Sequence, residues 1–141
     1  MPYREKTAWL GLIAMAVTFG PYFAIVAARG AGGGSLPDLR QLGLFAVTAI
    51  AQLLILGAGR LYLRFRSPGD ARTPPDERDR AIAGRSIVSA YYVLIAGTIV
   101  VGCVMPFTAG GWAIVNAALA AIIAAELVHY GVVAFSYRSQ R

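Results

Sequence analysis

The chain alternates between four long apolar stretches and short segments that hold most of its charged residues. Each stretch reaches the roughly 20 residues that a helix needs to cross a hydrocarbon core of about 30 Å. The pattern predicts helices over residues 7–28, 42–63, 77–105 and 112–137, with a polar loop over 64–76. We therefore expect one all-α domain, an integral membrane four-helix bundle that occupies the whole of residues 1–141.

Composition supports a membrane class. Of the 141 residues, 57% are hydrophobic and 14% are charged, whereas a soluble domain carries about 25% charged residues. The first apolar run is longer than the roughly 7 to 15 residues of a secretory signal core, so we expect a retained span, with cleavage as the alternative. A single cysteine, Cys103, cannot form an internal disulfide and is expected to be a buried, inert thiol; a bridge to a second subunit is the alternative.

The distribution of charge predicts orientation. Eleven of the thirteen Lys and Arg residues lie in the N-terminal tail, the middle loop with its flanks and the C-terminal tail. The positive-inside rule places these segments, and with them both termini, in the cytoplasm, where they face anionic headgroups. No aromatic-interleaved basic patch or helix-turn-helix pattern accompanies the charge, so direct nucleic-acid binding is not expected.

The densest polar motif, residues 76–82, follows two prolines at the start of the third helix. Asp76 has the position of an N-cap and Asp79 that of the acid in a capping box. Acidic residues in the first turn also favour the helix dipole. One interpretation of the motif is a capped, solvated first turn and nothing more. The alternative is a partner-binding site, formed by Asp76, Glu77, Arg78, Asp79 and Arg80.

An acid and an imidazole lie inside the fourth apolar stretch. Glu126 follows Trp112 by about 21 Å of helix, which places it near the bilayer midplane. A carboxylate there costs about 2.5 to 3.5 kcal/mol, so it must be protonated, paired, or face protein or water. His129 lies one turn away, and Gln52 should hydrogen-bond across helices at similar depth. The candidate ligand or proton site consists of Glu126, His129, Gln52, Tyr91 and Tyr92.

These residues do not form a recognisable catalytic set. Glu126 and His129 match half of a di-iron helix motif, but one histidine and one acid within the spans leave a metal site incomplete without a dimer. No catalytic triad or paired carboxylates can be assembled in one subunit, so neither an enzyme nor a cofactor is expected. Glu126 can be a neutral, hydrogen-bonded group with a structural role only. The alternative function is a small dimeric proton-coupled transporter or channel that uses Glu126. Small residues recur at every fourth position, which favours close helix packing and a homodimer; they are Ala16, Gly20, Ala24, Ala28, Ala113, Ala117, Ala121 and Ala125.

Residues 76–82, Asn116, the tripeptide 125–127 and the closing pair 137–138 together resemble a family of small four-span prokaryotic membrane proteins, domain of unknown function 2178. The resemblance covers roughly the second half of the chain. It implies a four-helix fold in the prokaryotic inner membrane and a shared role for the acidic-basic stretch and the glutamate, without an established activity. Members look similar to proteins encoded beside small DNA-binding regulators, which implies a regulatory partnership. The ending 137–139 departs from the family's more basic one.

Together these features predict a non-enzymatic integral membrane protein. We expect it to act as a regulatory or scaffolding partner through its basic cytoplasmic face. Its expected partners are a cytoplasmic protein, the anionic bilayer surface and a second copy of the chain.

Overall fold

The computed structural model describes residues 3–29 and 39–139, and the regular structure in both ranges is helical. The helices are α1 (Tyr3–Ala28), α2 (Leu39–Arg66), the short α3 (Pro68–Arg72), α4 (Glu77–Ile99) and α5 (Trp112–Arg138). A π-helical turn, Val100–Val104, and a 3-10 turn, Met105–Phe107, extend α4. Within the described ranges, four helices are long and apolar enough to cross a membrane: α1, α2, α4 with its extension, and α5. The expected all-α, four-helix membrane fold is confirmed at this level.

The helices continue further into polar sequence than hydropathy indicates. α1 begins at Tyr3 rather than residue 7, and α2 runs from Leu39 to Arg66 rather than over 42–63. Backbone hydrogen bonding does not stop where charged side chains begin, so hydropathy underestimates helix length. The segment expected as a loop also contains α3, which begins at Pro68. Proline is tolerated at the first helical position because its missing N–H would have no intrahelical partner.

The four long helices pack side by side in a single row. α1 packs against both α2 and α5, and α5 packs against α4, so the helices lie in the order α2, α1, α5, α4. Of these contacts, the one between α4 and α5 is the most extensive. In the described part of the chain, α2 and α4 share no extended contact and therefore form the two edges of the row.

The two rows of small residues have different environments. On α5, Ala121 lies so close to α4 that a Cβ built on Gly97 would fall 2.5 Å from the Ala121 Cβ. The absent side chain at Gly97 therefore permits the close approach of these helices. The row on α1 is exposed, and a Cβ built on Gly20 would have no neighbour within 4 Å. Only the α5 row packs against another helix of the same chain at such short range.

The outward faces are apolar, above all on the edge helices. Leu53 on α2 is 72% exposed and Phe107 beyond α4 is 86% exposed. An apolar surface of this extent is unusual on a soluble monomer and suits lipid contact. Cys103 is also exposed, in the π-helical turn, so the expectation of a buried thiol is wrong. The reason is that α4 is an edge helix covered by α5 on one side only.

The four long helices place their charged ends together. The start of α1, the end of α2, the start of α4 and the end of α5 form what we call the basic end, and the other termini form the opposite end. Contacts between Arg4, Asp79 and Tyr137 join three of these helices at the basic end. At the opposite end, α5 begins after Gly111, whose φ of 54° lies in the left-handed region that glycine adopts readily.

Candidate functional site

A cluster of three side chains joins α1, α4 and α5 at the basic end. Arg4 Nη1 lies 3.3 Å from Asp79 Oδ2. The hydroxyl of Tyr137 donates a hydrogen bond to the other carboxylate oxygen, Oδ1. Both oxygens of Asp79 are therefore occupied within the chain. Because hydrogen bonds to charged groups are stronger than neutral ones, this cluster fixes the relative position of the three helices.

Asp76 starts α4 as the sequence predicts. Its Oδ1 accepts a hydrogen bond from the Asp79 backbone N–H at 2.7 Å, which confirms the N-cap. The capping-box role of the Asp79 side chain is wrong, because that carboxylate binds Arg4 and Tyr137 instead. The tyrosine and arginine on the other helices stabilise the charged carboxylate of Asp79 more than a hydrogen bond from a single backbone N–H would.

The remaining members of the candidate partner site point outward. Glu77, Arg78 and Arg80 are exposed, whereas Asp79 is half-buried. The guanidinium carbon of Arg78 lies 5.8 Å from the centre of the Tyr137 ring, a cation–π contact. The structure thus divides the motif into residues that hold the fold, Asp76 and Asp79, and residues that face the surroundings, of which Glu77 and Arg80 are the clearest.

Polar side chains inside the spans pair across helices. Tyr22 on α1 donates to Asn116 Oδ1 on α5 at 2.7 Å, in a buried setting. Thr18, one turn away on α1, donates to Gln52 Oε1 on α2 at 2.7 Å. The interhelical hydrogen bond expected of Gln52 is therefore confirmed, with Thr18 as its partner. These bonds attach α1 to the helix on either side of it.

Tyr130 connects α5 to α2 across α1. A Cβ built on Gly11 would lie 2.9 Å from atoms of the Tyr130 ring, so the ring occupies space that any side chain at Gly11 would need. The Tyr130 hydroxyl then accepts a hydrogen bond from Arg60 Nη2 of α2 at 3.0 Å. The sequence analysis did not identify this contact. A glycine on one helix opposite a tyrosine at matching depth on another was the available signal.

Glu126 lies in a cleft between α4 and α5. The cleft has a volume of about 470 Å³ and contains the side chains of Tyr91, Glu126, His129 and Tyr130 among apolar residues. The imidazole of His129 packs edge-on against the Tyr130 ring, with 5.2 Å between ring centres. Glu126 and His129 are each half-buried. The structure therefore brings together three of the five expected site residues: Glu126, His129 and Tyr91.

Gln52 and Tyr92 do not join this cleft. Gln52 lies on α2, beyond α1, where it is bonded to Thr18. Tyr92 is 67% exposed and is absent from the cleft lining. The position of Gln52 follows from the helix order, since α1 lies between α2 and α5. Tyr92 is on α4, next to α5, but its side chain is exposed and does not line the cleft. Position along each helix was predictable from the sequence, but lateral position was not.

Over residues 3–29 and 39–139, no three His, Cys, Asp or Glu side chains are grouped closely enough to hold a metal ion.

Sequence analysis did not assign the contacts of Arg4, Tyr22, Arg60, Tyr130 and Tyr137. Arginines and tyrosines near span ends have an ordinary interfacial explanation, which gave no reason to single out these five.

No family model, curated protein or solved structure matches the chain. The resemblance to domain of unknown function 2178 therefore stays a prediction.

Proposed function

We propose that this chain is a non-enzymatic multi-pass protein of a prokaryotic plasma membrane that acts as a regulatory or scaffolding partner. In this proposal both termini and the basic end face the cytoplasm, where the basic end binds an acidic surface of a cytoplasmic protein. The observation that carries the proposal is the use of acids at this end. Asp79 is paired with Arg4 and Asp76 caps α4, and among the described side chains at this end eight exposed arginines outnumber the exposed acids.

The charge balance supports an acidic partner. Over the described residues, the segments that form the basic end, together with the stretch that contains α3, hold ten basic residues against five acidic ones. Exposed arginines come from α2, α3, α4 and α5; they are Arg60, Arg64, Arg66, Arg72, Arg78, Arg80, Arg85 and Arg138. An electrostatic field of one sign raises the association rate with an oppositely charged partner. This increase in rate becomes smaller as ionic strength rises. Binding by this face should therefore weaken steeply as salt is added.

The proposal revises the roles within the motif at residues 76–80. Asp76 and Asp79 contribute to the fold, so altering them would disturb the helix ends together with any binding. Glu77 and Arg80 are exposed, and substitutions there leave the described hydrogen bonds and ion pairs intact. These two positions are the appropriate ones for testing partner contact.

The test compares charge reversals at the two ends of the molecule. Arg80→Glu lies at the basic end, and Arg29→Glu is the matched control at the opposite end of α1. Tagged protein is captured from membranes of the source organism after brief crosslinking, and co-purifying proteins are quantified. We expect a stoichiometric acidic protein with the native chain and the control, reduced at least fivefold by Arg80→Glu. Equal recovery from all three chains would refute the proposal.

Homodimer formation belongs to the same proposal. The exposed small-residue row on α1 supports it, because such rows let two helices approach closely in a bilayer. Membership of domain of unknown function 2178 is likewise proposed, on the sequence features given above.

A second candidate function uses the Glu126 cleft. Glu126, His129 and Tyr91 share one cleft between two helices that are apolar enough to span a membrane. A carboxylate surrounded by aromatic rings can hold an organic cation, and it can exchange that cation for a proton. This observation favours proton-coupled transport over a purely structural role for the acid.

Flux measurements test this second function. Proteoliposomes with an imposed pH gradient are given tetraphenylphosphonium as a lipophilic cation. Transport predicts gradient-dependent uptake that Glu126→Gln abolishes and Glu77→Gln, at an exposed acid outside the cleft, leaves unchanged. Absence of uptake by the native chain would exclude transport of this class of cation, and uptake that survives Glu126→Gln would exclude the role of Glu126.

A further inference from the structure

A second groove between α4 and α5 lies near the basic end, separate from the Glu126 cleft. It has a volume of about 490 Å³ and is lined by Arg85, Val132, Phe135, Ser136, Arg138 and Ser139. A smaller depression of about 130 Å³ adjoins it and shares Arg85 and Ser136, with Arg78 on its far side. The sequence analysis assigned no role to this α4–α5 groove.

The lining changes from apolar to polar along α5. Val132 and Phe135 lie on the membrane side, and Ser139 closes the other end about 10 Å further along the helix axis. Phe135 is 62% exposed, so the apolar wall is open to the surroundings. Its ring also packs against Trp9 of α1, with ring centres 6.3 Å apart, which holds this wall in place. The groove therefore has one apolar and one hydrogen-bonding section.

The two arginines that line the groove are available to bind a ligand. Among the described residues, neither Arg85 nor Arg138 forms an ion pair or a side-chain hydrogen bond, and both are exposed. Arg4, by contrast, is paired with Asp79. A guanidinium presents several N–H donors in a planar fork that matches the oxygens of a phosphate group. Two guanidinium groups beside two serine hydroxyls favour a ligand that carries a phosphate group over a purely apolar ligand.

We infer that the α4–α5 groove binds one anionic phospholipid. The headgroup phosphate lies between Arg85 and Arg138, with the Ser136 hydroxyl as a further hydrogen-bond donor, and an acyl chain follows Val132 and Phe135. The Ser139 hydroxyl donates to the Ser136 carbonyl at 3.4 Å and borders the site. Basic pockets between spanning helices are suited to anionic headgroups. The apolar wall distinguishes this occupant from a water-soluble acidic protein, which would leave Phe135 uncovered. The inference goes beyond the proposed protein partner and does not depend on it.

Native mass spectrometry tests the inference on the full chain released from micelles. Phosphatidylglycerol and phosphatidylcholine of equal chain length are titrated separately, and bound lipids per chain are counted. We expect one phosphatidylglycerol to bind at concentrations where phosphatidylcholine does not. Near an anionic surface each arginine contributes about fivefold in affinity, so Arg85→Gln with Arg138→Gln should weaken phosphatidylglycerol binding ~30-fold. Arg64→Gln removes one charge from the end of α2 and should change affinity less than twofold; its matched comparisons are the single variants Arg85→Gln and Arg138→Gln, each expected to weaken binding about fivefold.

Two further measurements separate the alternatives. Ser136→Asp adds a negative charge inside the groove and should weaken phosphatidylglycerol binding without removing an arginine, so the test does not depend on one variant remaining folded. Inorganic phosphate and polyglutamate are added as competitors. Displacement of the lipid by millimolar phosphate would identify a free-phosphate site, and displacement by polyglutamate alone would identify a protein-binding site. Either result, or equal loss in Arg64→Gln and the two single variants, would overturn the inference.

Discussion

Tyr137 in the last turn of α5 donates its hydroxyl hydrogen to Asp79 in the first turn of α4, across 58 positions of sequence. The same carboxylate pairs with Arg4 of α1, so a single acid joins three helices at one end of the bundle. This contact gives part of the acidic-basic motif at residues 76–80 a structural role. Two of its five residues, Asp76 and Asp79, stabilise the fold, and arginines dominate the exposed surface around them.

Removing the Tyr137 hydroxyl should destabilise the bundle. Tyr137→Phe leaves the ring in place but deprives Asp79 of a donor, and a hydrogen bond to a charged group contributes about 1.5 to 3 kcal/mol. We expect the free energy of unfolding in detergent micelles, followed by circular dichroism, to fall by about 1.5 to 3 kcal/mol. The control is Tyr62→Phe, because the Tyr62 hydroxyl accepts only from exposed Arg66 on the same helix. Equal losses from both variants would contradict the role of the Tyr137–Asp79 bond.

Loss of the Asp76 cap should affect the start of α4 alone. Asp76→Ala removes the acceptor for the Asp79 backbone N–H, and such a change costs about 0.5 to 2 kcal/mol. Hydrogen exchange should accelerate at the amides of the first turn, 77–80, while the middle of α4 stays protected. Glu77→Ala, one residue further on, keeps the cap and should leave exchange at Asp79 unchanged. Unaltered exchange in Asp76→Ala would rule out the cap.

The close approach of α4 and α5 predicts opposite effects for two glycines of one helix. Gly97→Ala places a methyl group against Ala121, and overpacking typically costs about 1 to 3 kcal/mol. Gly84→Ala meets no neighbour within 4 Å, so greater helix propensity should stabilise α4 by up to about 1 kcal/mol. Thermal unfolding in detergent measures both changes. Ala121→Gly combined with Gly97→Ala should recover stability; failure to recover it would show that the clash lies elsewhere.

Because the hydrogen bond from Tyr22 to Asn116 is buried, a substitution at Asn116 should recover part of the stability that a substitution at Tyr22 removes. Tyr22→Phe leaves the Asn116 amide buried without its donor, which costs about 1 to 3 kcal/mol. Adding Asn116→Leu removes the unsatisfied group, so the double variant should be more stable than Tyr22→Phe alone. Chemical unfolding of the three variants gives the coupling, expected near 0.6 kcal/mol and below about 1.7. Strictly additive losses would mean that the two side chains do not interact in the folded protein.

The resemblance-based link between the motif and Glu126 also acquires a structural context. α4 carries Asp79 at the basic end and Tyr91 in the Glu126 cleft, about 18 Å further along the same helix. One rigid element therefore borders both candidate sites. Whether they communicate is decided by partner capture with Glu126→Gln: reduced capture would show coupling, and unchanged capture would show independence.

The sequence by itself determined the class of fold and the identity of the polar residues inside it. Four apolar stretches of membrane-spanning length, the N-cap at Asp76 and the need of Gln52 for an interhelical partner all follow from local rules of hydropathy and hydrogen bonding. The depth of Glu126 within its helix likewise follows from the rise per residue.

Only the tertiary structure decided which of these residues meet. Helix order placed α5 between α1 and α4, so Tyr91 lies beside Glu126 while Gln52 lies with Thr18 on the other side of α1. Hydropathy fixes a residue's height along a spanning helix, because water and lipid differ along that axis. It does not fix the neighbours around the helix, because those depend on small-residue contacts such as Gly97 with Ala121 and Gly11 with Tyr130, which involve two distant parts of the chain at once.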